Sequence, residues 1–190
     1  MGVVGSVASL WRYPVKSMRG EQLTQAFVGF AGVYGDRLFA FTSPARPKGF
    51  PYLTGRERRE MILYQPRFRH PERSGAPPNL AEAEAMPPGV TPTVADPEDL
   101  ALDIDTGSGE PGFSEDAYLK KKLRIGSKLI LTVVARDPCC AMISLDPDTA
   151  EPDPAVLRQV AQEHEGDAGV YGAVLVEGTV RPGDKIELLD

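Results

Sequence analysis

The sequence predicts a mainly β protein, built as a closed or nearly closed barrel with a single solid α-helix. Glycine and proline account for 19 and 18 of the 190 residues, a share that favours many turns and short strands over long helices. Apolar runs bounded by such turn residues recur along the chain. Only residues 153–165 combine helical spacing of apolar side chains with a capping residue.

Short apolar runs predict nine strands. Glycines at positions 29, 32 and 35 supply the turn after the second of them. The last two runs predict a closing hairpin, because Pro182-Gly183 between them fits a type II turn. The predicted strands are residues 2–13, 22–30, 37–43, 61–65, 100–104, 128–136, 140–145, 171–178 and 185–189.

The predicted helix has signals at both ends. Asp153 is a good N-cap, Pro154 suits the first helical position, and Gly166 can end the helix. Residues 55–60 predict one further helical turn. Residues 70–112 are rich in proline, glycine and acidic side chains and show little periodicity, which is typical of a loop or linker.

The charge distribution limits the classes of molecule that the protein is expected to bind. The net charge of −6 argues against nucleic acid and against an anionic membrane surface. Residues 1–73 are nevertheless rich in arginine and lysine, so this half can hold a small anion. No apolar stretch is long enough to span a membrane, and no signal peptide is apparent. Two cysteines argue against a secreted disulfide scaffold, so the cytoplasm is the expected location.

Cys139 and Cys140 are the only cysteines and have three interpretations. They can be small buried hydrophobic residues, or one thiolate can bind a metal. A disulfide between neighbours needs a strained ring and is discounted. Zinc is not expected, because there is no second cysteine pair and His70 and His164 lack zinc-type spacing. His164 lies on the apolar face of the predicted helix and is expected at a core or boundary position.

Three polar turns are candidate anion sites. Lys16 and Ser17 follow the first strand within a tight turn, where a phosphate group would find an ammonium, a hydroxyl and backbone N–H groups. The alternative is a polar turn with a solvated lysine. Arg37 either forms a surface ion pair with Asp36 or presents its guanidinium to an anion. Arg56, in Thr54-Gly55-Arg56, has the same two interpretations.

Taken in order, these segments resemble a known family. LWRYPVKSMRGE resembles the opening motif of the N-terminal β-barrel domain that precedes MOSC domains, and GVYGDR and LTGR fit its next two motifs. CAMISLDPDT resembles the cysteine-containing signature of the MOSC domain, and the C-terminal strands match its closing hairpin. The matching segments are residues 10–21, 32–37, 53–56, 140–149, 171–178 and 183–184.

The resemblance implies a MOSC-type β-barrel with an N-terminal β-barrel subdomain. It divides the chain into an N-terminal domain over 1–69, the linker over 70–112 and a shortened C-terminal part of the MOSC domain over 113–190. Two features depart from the family pattern. Cys139 stands where the family usually has an arginine, and the family's Arg-Phe-Arg-Pro-Asn segment is not found between residues 70 and 125. Arg67-Phe68-Arg69 is superficially similar to that segment, but its context fits the end of the N-terminal barrel.

MOSC domains are similar to the C-terminal domain of molybdenum cofactor sulfurases and form the core of the mitochondrial amidoxime-reducing components. The resemblance therefore implies a molybdenum cofactor (molybdopterin), with Cys140 as metal ligand and catalytic residue. Lys16, Ser17 and Arg37 would hold the cofactor's phosphate, with Arg56 nearby. Pyridoxal phosphate binding is also implied by the family.

The chemistry implied is the two-electron reduction of N-hydroxylated small molecules, or sulfur transfer. An electron-donor protein is an expected partner, because the sequence shows no flavin, haem or iron–sulfur motif. The alternative is a degenerate MOSC barrel that binds no cofactor and serves as a binding or scaffold module.

Overall fold

The mainly β fold is confirmed by a computed structural model that describes residues 2–47, 49–78, 80, 102–105 and 114–189. Short 3-10 helices cover Arg59–Leu63, Pro71–Arg73, Ser114–Tyr118 and Ala141–Ser144. The helix α1 spans Pro154–His164. The strands are β1 Gly2–Arg12, β2 Glu21–Leu23, β3 Ala26–Gly29, β4 Gly32–Val33, β5 Leu102–Asp105, β6 Lys122–Ile125, β7 Leu129–Pro138, β8 Asp167–Val176, β9 Gly178–Val180 and β10 Lys185–Leu189.

Two antiparallel sheets carry the fold. The larger has the order β2-β1-β10-β6-β7-β8, with β5 also paired to β1, and forms a half-barrel within the described residues. The smaller has the order β4-β3-β9. Because β1 pairs with β10, the two ends of the chain meet in one sheet. The predicted division of the chain into three parts stays a prediction.

The core lies between the two sheets. Alternate residues of β7 are buried, as expected for a strand with one face on the core. The side chains of Leu10, Leu123 and Ile125 are at most 1% exposed, and burying each contributes about 1.5–3 kcal/mol. Val28 of the small sheet belongs to the same cluster. This shared core fixes the turns that leave β1 and β7 relative to one another.

The predicted helix is confirmed, including its caps. The Asp153 carboxylate accepts a hydrogen bond from the Ala155 N–H at 2.9 Å, and Pro154 is the first residue of α1. The helix ends at Glu165, whose left-handed φ of 57° precedes Gly166. Its last residue, His164, is a boundary residue as predicted, with a side chain 13% exposed and Nε2 at 2.9 Å from Asp116.

Three predicted strands are wrong. Residues 37–43 make only isolated bridges, and their apolar side chains at Leu38, Phe39 and Phe41 are exposed, so there is no buried face for a strand to cover. Residues 61–65 and 140–145 instead contain 3-10 helices with i→i+3 hydrogen bonds. Short apolar runs do not distinguish the two states by periodicity alone. The second predicted strand is split into β2 and β3.

The predicted closing hairpin is also wrong, although its turn forms. Asp184 donates its N–H to the Arg181 carbonyl at 3.1 Å, and Gly183 has a φ of +88°. The strands on either side belong to different sheets, because β9 pairs with β3 and β10 pairs with β1 and β6. The predicted strand at 100–104 appears as β5. Of the loop or linker predicted at 70–112, residues 79, 81–101 and 106–112 lie outside the described residues.

None of the helices in the described part of the chain is long and apolar enough to cross a lipid bilayer.

Gly178, the first residue of β9, lies at a close backbone approach, so Gly178→Ala is expected to destabilise the fold. An added Cβ would lie 2.8 Å from the backbone nitrogen of Leu129, and backbone cannot move aside as a side-chain tip can. We expect the free energy of unfolding in urea to fall by about 1–3 kcal/mol. Gly75→Ala is the control, because a Cβ there meets nothing within 4 Å. Equal stability of the two variants would contradict this packing.

Candidate functional site

The first two motifs lie side by side. The chain leaves β1 at Tyr13, and the Lys16 N–H donates to the Phe39 carbonyl at 2.9 Å. The Arg37 N–H donates to the Tyr13 carbonyl at 2.8 Å. The Asp36 carboxylate also accepts from the Tyr13 N–H. Lys16 and Arg37 therefore sit on neighbouring segments whose backbones are hydrogen-bonded to each other.

Ser17 lies in a turn with a left-handed backbone conformation. Its φ is +65°, and that of Arg37 is +42°. A left-handed conformation costs a residue other than glycine roughly 1 kcal/mol or more and is concentrated at functional sites. Ser17 is half-buried, and no described residue forms a hydrogen bond with its hydroxyl. The turn thus presents a donor beside the half-buried side chain of Lys16.

The third motif lies against the segment that comes after the second motif. The Leu53 N–H donates to the Phe41 carbonyl at 2.8 Å, so the chain before Thr54 lies against residues 37–43. The Glu57 carboxylate accepts from the Thr54 N–H at 2.9 Å and from its hydroxyl at 2.8 Å. These hydrogen bonds lower the pKa of Glu57. The turn that carries Arg56 is therefore fixed, while the Arg56 side chain remains exposed.

The two cysteines occupy different environments. Both are half-buried and neither forms a disulfide. Cys139 donates its N–H to the Gly166 carbonyl at 2.9 Å, and burial, followed by the Asp137 carboxylate, raises the pKa of its thiol. Cys140 precedes the 3-10 helix Ala141–Ser144, and its carbonyl accepts from the Ile143 N–H at 3.1 Å. No described residue forms a hydrogen bond with the Cys140 thiol.

Gly55 joins the third motif to the cysteine segment. A Cβ at Gly55 would overlap the Met142 sulfur and lie 2.8 Å from its methyl carbon, so the turn packs directly on the 3-10 helix after Cys140. A cavity of about 290 Å³ lies at this contact. Its lining includes two arginines and two glutamates from one side, Arg56, Glu57, Arg59 and Glu60, and Ala141 and Met142 from the other. Arg56 is thereby brought close to the residues that follow Cys140.

Arg19 makes the second connection. One guanidinium nitrogen of Arg19 donates to the Pro147 carbonyl and, at 2.7 Å, to the Asp148 carboxylate. The Asp146 carboxylate accepts the N–H groups of Asp148 and Thr149 at 2.8 Å each, and these hydrogen bonds lower its pKa. The loop after Cys140 is therefore held both by its own backbone and by the turn that carries Lys16 and Ser17.

Sequence reasoning selected Lys16, Ser17, Arg37, Arg56 and Cys140 but missed Arg19. The structure places Lys16, Ser17 and Arg37 in one group and Arg56 beside the Cys140 segment, with the contacts of Gly55 and Arg19 linking the two. One sequence signal could have indicated Arg19. It belongs to the first motif, LWRYPVKSMRGE, and its partner Asp148 belongs to the cysteine motif, CAMISLDPDT. Within the described residues, no group of three or more histidine, cysteine or acidic side chains is arranged to hold a metal ion.

Comparisons with known proteins agree with the motifs. The model of the MOSC N-terminal beta barrel domain matches residues 4–75, and the model of the MOSC domain matches residues 106–187. No curated protein matches the chain. Among solved structures, the YUAD protein from Bacillus subtilis is 16% identical with a TM-score of 0.51, covering 97% of this chain and 94% of its own. A hypothetical protein is 18% identical with a TM-score of 0.46, covering 99% and 69% respectively. The first of these supports the fold alone.

We expect the Cys139 thiol to alkylate with a pH midpoint above that of N-acetylcysteine amide. A raised pKa keeps the thiol protonated to higher pH, and only the thiolate reacts. The measurement is the initial rate of iodoacetamide labelling against pH, made on Cys140→Ala so that Cys139 is the only thiol. The two largest causes of the raised pKa, the burial of Cys139 and the nearby Asp137 carboxylate, are both retained in that variant. A midpoint at or below that of the small-molecule thiol would contradict this environment.

Proposed function

We propose that this chain, which belongs to the MOSC domain proteins, holds a pterin-based molybdenum cofactor and acts as an oxidoreductase on N-hydroxylated small molecules or as a sulfur carrier. The observation that carries the proposal is the contact of the N-terminal motif turns with the segment after Cys140. Gly55 packs on Met142, and Arg19 pairs with Asp148. A cofactor with a phosphate at one end and a metal at the other requires such a junction.

The phosphate end fits the first group of residues. Ser17 offers a hydroxyl without a hydrogen-bond partner among the described residues, in a left-handed turn beside Lys16. Arg37, whose side chain is 35% exposed, lies on the adjoining segment at 3.7 Å from Asp36. An ammonium, a guanidinium and a hydroxyl together can neutralise and orient a phosphate. These three residues would hold it, with Arg56 contributing further positive charge.

The metal end fits a single protein ligand. The described residues offer no cluster that could bind a metal alone, so Cys140 would supply one thiolate and the dithiolene sulfurs of the cofactor the others. The raised pKa of Cys139 supports this choice, because a thiol that stays protonated is a poor ligand. When bound, the cofactor supplies two-electron oxygen-atom chemistry. The chain itself would orient the metal through Cys140, and the cavity at the helix after Cys140 holds Arg56 and Arg59 together with Glu57 and Glu60.

Further parts of the proposal follow from the family. The substrate is a small molecule, and an electron-donor protein delivers the reducing equivalents. A relation to the amidoxime-reducing components belongs to this proposal as well. Pyridoxal phosphate binding and a cytoplasmic location stay predictions.

One observation favours the alternative, a MOSC barrel without cofactor that acts as a binding module. Cys139 occupies the position where the family usually has an arginine, and its protonated thiol supplies no positive charge there. A cofactor phosphate or pterin would then have fewer cations to hold it. The two proposals differ in whether metal accompanies the purified protein.

Molybdenum content after expression in a cofactor-competent host tests the proposal. We expect close to one molybdenum atom per wild-type chain and a loss of most of it in Cys140→Ala, because the only protein ligand is removed. Cys139→Ala is the matched control and should retain the metal. Reduction of benzamidoxime with an artificial electron donor should follow the metal content.

Lys16→Gln extends this test to the phosphate end and should lower cofactor retention while leaving the thermal unfolding midpoint of the apoprotein unchanged. The cofactor proposal fails if wild-type protein and Cys140→Ala contain equally little molybdenum. That result would favour the binding module.

A further inference from the structure

A second and larger cavity, of about 690 Å³, lies beside β1 and β2. It is lined by Trp11, Arg19, Arg67 and Phe68, among others, and shares no lining residue with the cavity near Cys140. Its volume falls within the range of roughly 300–1,000 Å³ that is typical of small-molecule sites. Arg67 and Phe68 belong to the Arg-Phe-Arg segment, which is not part of the proposed cofactor site.

Aromatic rings form part of the wall. Trp11 is half-buried, and its indole N–H already donates to the Ser9 hydroxyl at 3.1 Å. The indole therefore offers the cavity an apolar surface rather than a donor. Phe68 is fixed by the Arg12 guanidinium, which lies 4.8 Å from the ring centroid. Two held aromatic side chains of this kind favour a planar aromatic ligand.

The charges around the cavity leave one cation unbalanced. Glu21 pairs with Arg12 at 2.8 Å, and Asp148 pairs with Arg19 at 2.7 Å. Arg67 is exposed and forms neither an ion pair nor a hydrogen bond with any residue that the structure describes. The Nε atom of Arg19 is buried and likewise lacks a hydrogen-bond partner among those residues. The lining residues carry two positive and two negative charges. Because Arg12, which lies outside the lining, neutralises Glu21, the guanidinium of Arg67 is the one accessible cation left without a partner among the described residues.

We propose that this cavity binds a planar aromatic compound that carries a single anionic group. The ring would lie against Trp11 and Phe68, and the anion would reach the Arg67 guanidinium. A ligand with a second negative charge is disfavoured, because Glu21 and Asp148 also line the cavity and no second cation is unpaired. None of its lining residues is among those assigned to hold the cofactor; Arg19 and Asp148, whose ion pair joins the two motif regions, line this cavity and not the one at the helix after Cys140.

Trp11 is the only tryptophan in the chain, so intrinsic fluorescence reports on this cavity directly. The probe is 4-nitrobenzoate, whose ring quenches tryptophan on contact, and 4-nitrobenzyl alcohol is its uncharged counterpart. We expect saturable quenching by the carboxylate with a Kd of about 1 mM or tighter, as a ligand of that size allows. The alcohol should bind several-fold more weakly.

Arg67→Gln should weaken binding of the carboxylate about fivefold, the effect of losing one exposed ion pair at the upper end of its usual range. The alcohol should be unaffected. Arg69→Gln is the matched control, because Arg69 is exposed, lies two residues away and does not line the cavity. Circular dichroism and thermal unfolding confirm that both variants are folded.

Three outcomes would overturn the proposal. They are quenching that does not saturate, equal affinity for the carboxylate and the alcohol, and an equal effect of the two substitutions. The quenching experiment uses protein without cofactor. A negative result there would not affect the molybdenum proposal, and a lack of molybdenum would not affect this one.

Discussion

The buried guanidinium of Arg12 is the interaction on which both candidate sites depend. Its side chain is only 5% exposed and pairs with Glu21 at 2.8 Å. It also donates to the Tyr34 carbonyl at 3.1 Å and to the Ser74 hydroxyl at 3.2 Å, and it stacks on Phe68. An unpaired buried charge costs several kcal/mol, so all of these segments must stay in place around it. One side chain at the end of β1 thereby gathers four separate parts of the N-terminal 75 residues.

This arrangement explains why the motif turns adopt strained conformations. Gly35, with a φ of +87°, lies so close to Arg12 that an added Cβ would be 2.7 Å from its guanidinium. The chain can therefore pass Arg12 only with glycine at this position, and Arg37 follows directly in its own left-handed conformation. Arg12 is also the last residue of β1, directly before the segment that leads to Ser17. The same guanidinium holds Glu21 and Phe68, which line the larger cavity.

Local sequence signals predicted what local interactions determine. The α1 helix was predictable because Asp153 and Pro154 act within one turn of it. The Cys140 segment was not, because a run of six residues of which five are apolar fits a strand or a 3-10 helix, and contacts distant in sequence, such as that of Met142 with Gly55, are not visible in it. The closing turn was predictable, but the partners of its strands lie far away in the sequence. Arg19 was missed for the same reason, since Asp148 is 129 residues further along.

The neighbouring cysteines show how the fold separates two similar groups. Cys139 is tied to Gly166, the residue before β8, where burial and, after it, the carboxylates of Asp137 and Asp167 raise the pKa of its thiol. Cys140 directly precedes the 3-10 helix Ala141–Ser144, which lines the small cavity together with Arg56 and Arg59. Carboxylates thus lie near the first sulfur, whereas the cavity at the helix that follows the second is lined by two arginines and two glutamates, Glu57 and Glu60. A soft metal requires a thiolate, and the raised pKa of Cys139 opposes its formation there, so the fold gives two adjacent and chemically identical side chains different surroundings.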